Sequence, residues 1–325
     1  MNPMTIPSRT RVLVLLVVVL LAAAVALAAC GGEAATETST GPSASATAAT
    51  VLTQAGLQVT TDPAVAAIVP EKVKTSGLRV ATDIPFPPWD MWTAVGSDKA
   101  TGFDFDIAQA LAAKMGVSMD YVDVPWDSII PSLQADKQDV IIAAMSVTPE
   151  RIAMVNFISY AYDSTGILVV KGNPEGITTL EDLSGKTVAI EKGTVQDDLV
   201  KETNKQLAAA GSPEIKSLMF PAATDCYMAL KSGKVQAVLF GNFNLGYTAK
   251  NTDDGNAFEL IVDPANPNGY DPGMVGIAVL KDDTALTDAV QKAMQAMIDD
   301  GTYQKICDIW GMPAPVTEAK LNELL

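Results

Sequence analysis

Beyond its N-terminal segment the chain carries two arginines, Arg79 and Arg151, and uses lysine wherever else it needs a cation. A guanidinium is a planar fork that meets a carboxylate through two parallel hydrogen bonds, which an ammonium cannot do. Arg151 closes the run Ala143-Ala144-Met145-Ser146-Val147-Thr148-Pro149-Glu150-Arg151. One reading is a grip on a carboxylate; the other is a surface residue on a first helical turn. Several chemistries are closed outright. There is no histidine, and only two cysteines follow Cys30. A zinc site of the usual ligands cannot be assembled, and Ser-His or Cys-His nucleophilic catalysis is excluded. No catalytic residue, metal or cofactor is assigned, and the chain is expected not to be an enzyme.

The elements that must position Arg151 follow from local pattern. Leu78 to Thr82 reads as a short buried strand, broken by three prolines between Asp83 and Trp89. Phe103 opens a helix with Ile107, Leu111 and Met115 on one face, stopped by Gly116. Met119 to Val124 is a second strand, Ser128 to Ala135 a short helix with Ser128 as its cap, and Asp139 to Met145 a third strand. Thr148 and Pro149 then supply a hydroxyl cap and a proline at the first helical position. Strands follow at Thr187–Glu191, Val235–Phe240 and Val275–Leu280. Helices follow from Gly193-Thr194 to about Leu207, over Thr224–Ser232, over Thr284–Asp300 and over Thr302–Trp310. Strands alternating with helices predict an α/β layer with parallel pairing. Gly193-Thr194-Val195 sits where a strand feeds a helix, and free N–H groups there favour an anion; an ordinary turn and cap would look the same.

The ends and composition set the compartment. Residues 1–29 read as an export signal: Arg9 and Arg11, then an uncharged apolar stretch, then Leu27-Ala28-Ala29 before Cys30. This resembles the bacterial lipobox, whose cysteine is acylated, palmitate included, and becomes the first residue. An uncleaved membrane helix is the alternative. Both place the rest outside the cytoplasm, tethered to the cell membrane. Residues 30–68 are rich in Ala, Thr, Ser and Gly and are expected to be a flexible tether. The chain is acidic, with 38 Asp+Glu against 22 Lys+Arg, which argues against nucleic acid and against an electrostatic grip on anionic lipid. An even pair of cysteines outside the cell, Cys226 and Cys307, is a disulfide candidate.

Gly102-Phe103-Asp104-Phe105-Asp106-Ile107-Ala108, Trp126-Asp127-Ser128-Ile129-Ile130-Pro131-Ser132-Leu133, Asp139-Val140-Ile141-Ile142 and Ser146-Val147-Thr148-Pro149-Glu150-Arg151 follow one another in order. Further on come Asn156-Phe157, Lys186-Thr187-Val188-Ala189 with Gly193-Thr194, and Gly301-Thr302-Tyr303-Gln304-Lys305-Ile306. Together they resemble the family 3 of bacterial extracellular solute-binding proteins, the polar amino acid binders of ABC importers. The resemblance covers nearly everything from Val80 to Trp310. It implies a two-lobed periplasmic-binding-protein fold of type II: lobe 1 from residues 69–165 and 270–325, lobe 2 from 166–269, and two crossover strands as hinge. Hinge closure around a ligand is the general behaviour of such proteins. It also implies a monomer that captures an amino acid or related solute and passes it to a permease and its ATPase.

The resemblance further implies roles. Arg151 takes the ligand carboxylate, with the Ser146 hydroxyl and N–H beside it and Thr194 and Val195 opposite; Ala144 is counted among the ligand-binding positions, although the hydroxyls the family carries at Ala143 and Ala144 are missing. Phe86 and Trp126 fall where the family places aromatic walls, and Trp89 is counted with them. Asp83 could meet a cationic part of the ligand or serve as a turn-forming carboxylate. One departure stands out: members usually carry an aspartate for the ligand's α-ammonium just beyond the strand matching Val235–Phe240, and here Gly241 and Asn242 follow. Asn242 offers a carbonyl but no charge. Either another acid, such as Asp83, supplies it, or the ligand is not a standard α-amino acid. A periplasmic dehydratase on this fold, with Asp83 and Glu191 as its acids, is the enzymatic alternative. A ligand-presenting sensor is another.

Overall fold

The computed structural model describes residues 49–313 and 315–325; the expected export signal and the expected acylation site Cys30 lie outside these. The elements run β1 (Thr50–Leu52), β2 (Gln58–Thr60), α1 (Pro63–Ile68), α2 (Glu71–Ser76), β3 (Leu78–Thr82), β4 (Met91–Trp92), β5 (Ala100–Thr101), α3 (Phe103–Met115), β6 (Met119–Asp123), α4 (Trp126–Gln134), β7 (Val140–Ile141) and α5 (Pro149–Ile152). Then come β8 (Val155–Val170), β9 (Thr187–Glu191), α6 (Gln196–Ala209), β10 (Lys216–Phe220), α7 (Ala223–Lys231), β11 (Ala237–Gly241), α8 (Asn242–Asn251), β12 (Phe258–Ile261), β13 (Tyr270–Leu280), α9 (Thr284–Asp299) and α10 (Thr302–Trp310). Among the described residues no helix is long and apolar enough to cross a membrane.

Strands β6, β3 and β7 pair in parallel at one end of a continuous sheet, and β10, β9 and β11 in parallel at the other. The antiparallel pair β8 and β13 joins the two ends. Strand β8 is long because it serves both: Val155–Ala161 pair with β13, while Thr165–Leu168 pair with β11. The largest apolar cluster draws on Val59 to Ala161 and Met274 to Ala319; two smaller ones draw on Ile167 to Ile261. This is a two-lobed α/β architecture with β8 and β13 as the two crossing segments.

Several expected features hold for the expected reasons. Helix α3 starts after Gly102 and stops at Gly116, which sits at φ 69 in the left-handed region and returns its N–H to Ala112 and Ala113. Thr148 caps α5, accepting from the Arg151 N–H at 3.3 Å, with Pro149 at the first helical position.

Other expectations are corrected. Helix α4 begins at Trp126 behind Pro125, and the Ser128 hydroxyl donates to Asp127 instead of capping. Strand β7 stops at Ile141 and does not reach Met145. The buried Asp104 Oδ2 accepts the Ala144 N–H at 2.7 Å, and Ala144 turns to φ 49, which bends the chain out of the sheet. The tether expected over residues 30–68 does not hold from residue 50 on: there the chain forms the β1–β2 hairpin and then α1, whose first N–H groups are capped by Asp62. Val59, Val65 and Val69 are buried in the main core, so a few apolar side chains in a small-residue stretch suffice to dock it. Cys226 and Cys307 are free, not bridged. Each helix turns its cysteine into a different core, Cys226 beside Leu168 and Phe240, Cys307 in the main cluster.

Candidate functional site

A cavity of about 300 Å³ opens where the two ends of the sheet meet β8 and β13. Its lining comes from strand ends and from the turns that follow them, where backbone polar groups are free of ladder partners. Arg151 reaches it from α5, only 8% exposed. Its Nη1 donates to Ser146 O at 2.8 Å. Its Nη2 crosses to the other lobe and donates to Gly193 O at 3.0 Å. The guanidinium carbon lies 5.3 Å from the centre of the Trp126 ring, a cation–π contact. Burial lowers the Arg151 pKa to about 10, so it remains cationic at neutral pH.

The backbone around Arg151 suits an anion. Val147 N–H donates to Met274 O and Gly276 N–H to Met145 O, which leaves the N–H and C=O of Ser146 turned away from β13. Across the cavity Gly193 has φ 82, and the Thr194 hydroxyl donates to Glu191 O at 2.8 Å. This tight turn opens α6 at the cavity wall, where Thr194, Val195 and Gln196 line it, and the positive end of a helix favours an anion. The guanidinium, Ser146 and the start of α6 thus form a cradle built from both lobes.

Phe86 and Trp126 line the cavity. Phe86 packs edge-on against Phe240 of the opposite lobe, ring centres 5.6 Å apart, and Trp126 Nε1 approaches Gly193 O at 3.4 Å. Both touch each lobe.

Four acidic side chains line this space: Asp83, Asp163, Glu191 and Asp271. Burial pushes Glu191 up to about 8, with the nearby charge of Asp83 adding to it. Burial, helped by Asp123, raises Asp83 to about 6. Burial raises Asp163 to about 7 against the pull of the Ser164, Phe243 and Asn242 N–H groups. Glu191 is 5% exposed and its Oε1 has no hydrogen-bond partner among the described residues. Such an atom is costly unless something meets it. With one guanidinium against four acids, the cavity is short of positive charge.

Most residues expected at the site line the cavity: Asp83, Phe86, Trp126, Ala144, Ser146, Arg151, Thr194 and Val195. Two do not. Trp89 is fully buried in the main core, edge-on to Phe103, Tyr160 and Phe243. Asn242 opens α8 and its amide donates to Asn268 O at 3.4 Å, away from the lining. Ala144 lines the wall, but its N–H is committed to Asp104. Sequence reasoning missed Asp163, and took Glu191 only as an acid for the enzymatic alternative. A lone aspartate inside the apolar run of β8, and a glutamate closing Val188-Ala189-Ile190, were the available signals. Leu324 and Leu325 also reach the rim, brought there by a terminal segment that pairs with β8 through Asn322 N–H to Phe157 O at 2.8 Å.

The model of the bacterial extracellular solute-binding proteins, family 3, matches residues 78–313. The ABC transporter arginine-binding protein 1 of Escherichia coli (strain K12) is 31% identical over 227 residues, which span 69% of this chain and 86% of that protein. Among solved structures, an ancestral arginine-binding protein bound to arginine is 35% identical, with TM-score 0.62 over 72% of this chain and 97% of that one. The ancestral amino acid-binding protein AncCDT-1, a precursor of cyclohexadienyl dehydratase, is 30% identical, with TM-score 0.64 over 74% of this chain and 98% of the other.

Proposed function

The chain belongs to the bacterial extracellular solute-binding proteins of family 3, and from that footing we propose that it captures a basic amino acid of the arginine type in the interlobe cavity and delivers it to an ABC importer. The unpartnered Glu191 carboxylate carries this reading. A buried acid with Asp83 beside it and no cation of its own is a site prepared for a guanidinium or ammonium brought by the ligand. The cradle of Arg151, Ser146 and the start of α6 takes the ligand's carboxylate, and Phe86 and Trp126 cover the aliphatic stem. The arginine bound by similar proteins agrees in charge and size.

A thermal-shift series across the common amino acids tests the reading. Arginine or lysine should raise the melting temperature most, glutamine less, and glutamate not at all. At a hundred times its Kd a ligand stabilises the fold by about 2.7 kcal/mol. A preference for glutamate would overturn the assignment.

The chain acts by binding and not by turnover. Glu191 and Asp163, both raised to near neutral pH, are the groups suited to act as acids, but their neighbours are further acids with no histidine or thiolate to complete a relay. Recovery of unchanged arginine after prolonged incubation would support this; loss of ammonia or water from it would not. The mature protein is held at the outer face of the cell membrane through acyl chains on Cys30, as Leu27-Ala28-Ala29-Cys30 suggests.

A further inference from the structure

Gly241 ends β11 and is the residue before α8. It lines the cavity together with Asp163. A Cβ built on Gly241 would run into Asp163 Oδ2. The two positions therefore compete for one volume, and only a glycine at 241 lets the Asp163 side chain lie where it does. Asp163 comes from β8, where it stands opposite Gly273 of β13 in the segment that crosses between the lobes. Two glycines thus flank it on neighbouring strands.

The carboxylate is held, not loose. Its Oδ1 accepts the Ser164 N–H at 2.8 Å and the Phe243 N–H at 3.3 Å. The second bond ties it to the first turn of α8, whose positive end favours its ionised form. Oδ2 lies over Gly241, and both residues line the cavity. No lysine or arginine pairs with Asp163 among the described residues. It is an oriented half-buried acid without a countercharge, in a cavity whose guanidinium is built to hold a carboxylate.

We propose that Asp163, delivered from the crossing strand β8 into the space left by Gly241, receives the α-ammonium of the bound amino acid. This rests on the reading of the cavity as an amino-acid site and adds to it the residue that selects for the amine. It also accounts for the missing acid at position 241: the charge has moved to a neighbouring strand, and the loss of the side chain at 241 makes the move possible. An ammonium centre on the ligand then meets a carboxylate that belongs to the hinge, so amine recognition and lobe position are read by the same strand.

The test uses the full chain, calorimetry, and two probes: L-arginine and its analogue without the α-amino group, delta-guanidinovalerate. Asp163→Asn keeps the Oδ1 acceptor for Ser164 and Phe243 and removes the charge. It should weaken L-arginine by about 30-fold or more while leaving delta-guanidinovalerate within about threefold of the wild type. The exchange variant Asp163→Ser with Gly241→Asp returns the acid to the other strand and should recover about tenfold or more of the lost L-arginine affinity. Equal losses for both probes would reduce Asp163 to a cap on α8 and overturn the proposal. So would L-arginine binding unchanged in Asp163→Asn. If the wild type binds neither probe nor any other amino acid, the reading of the cavity fails first and this proposal falls with it.

Discussion

At the scale of single residues, the cavity sets one cation against four acids, and each can be tested by itself. Arg151→Ala strands a desolvated carboxylate and should cost about 3–5 kcal/mol of binding by calorimetry. Arg151→Lys should fail to restore it, because one ammonium cannot span Ser146 O and Gly193 O as the fork does. Glu191 gives a pH signature. Its ordinary value is 4.5 and burial holds it near 8 in the folded chain. A raised acid binds its proton more tightly in the folded state, so its contribution to stability is complete below pH 4.5 and is lost as pH rises toward 8. The melting temperature of the ligand-free wild type should therefore fall more steeply over that window than that of Glu191→Gln. Binding of a cation favours the ionised carboxylate, so arginine affinity should rise with pH across the same window and binding should release protons. Calorimetry in buffers of different ionisation enthalpy reads that release directly.

At the scale of elements, the N-terminal hairpin and α1 belong to the folded body. Val59 and Val65 are 1% and 3% exposed, and burial of each is worth about 1.5–3 kcal/mol. A chain beginning at Val69 should melt several degrees below one beginning at Ala49, at about 2–4 °C per kcal/mol for a domain this large. What the sequence made legible was local. Gly102 and Gly116 bracket α3, and Thr148-Pro149 starts α5, because caps and stops act over one turn. What it hid was set by distant partners. Ala143 to Met145 looks like strand, yet Asp104, far away in the chain, takes the Ala144 N–H and ends β7. Cys226 and Cys307 form a plausible pair by compartment, yet they face separate cores. The same limit governed the site. Ser146, Arg151 and Thr194 lie at local signals, a capped helix start and a strand-to-helix turn, and the structure sets them around one cavity. Asp163 gains its meaning only from Gly241 on an adjacent strand, a pairing no spacing rule reveals.

At the scale of the whole molecule, the formal charge of −16 draws basic solutes from dilute surroundings. The association rate of arginine should fall as salt is added, by stopped-flow fluorescence of the cavity Trp126; a salt-independent rate would count against this attraction. If Cys30 is acylated as proposed, replacing it with serine should move the protein from the detergent phase to the aqueous phase and leave arginine affinity unchanged, because the cavity lining begins at Asp83. The Gly193 carbonyl joins these scales. It takes a hydrogen bond from Arg151 and faces Trp126 Nε1, one group from lobe 2 answering two from lobe 1. On the proposed reading that oxygen is a placeholder: an incoming carboxylate would evict it and inherit its donors, so capture would be a trade of partners in which the guanidinium need never be left bare.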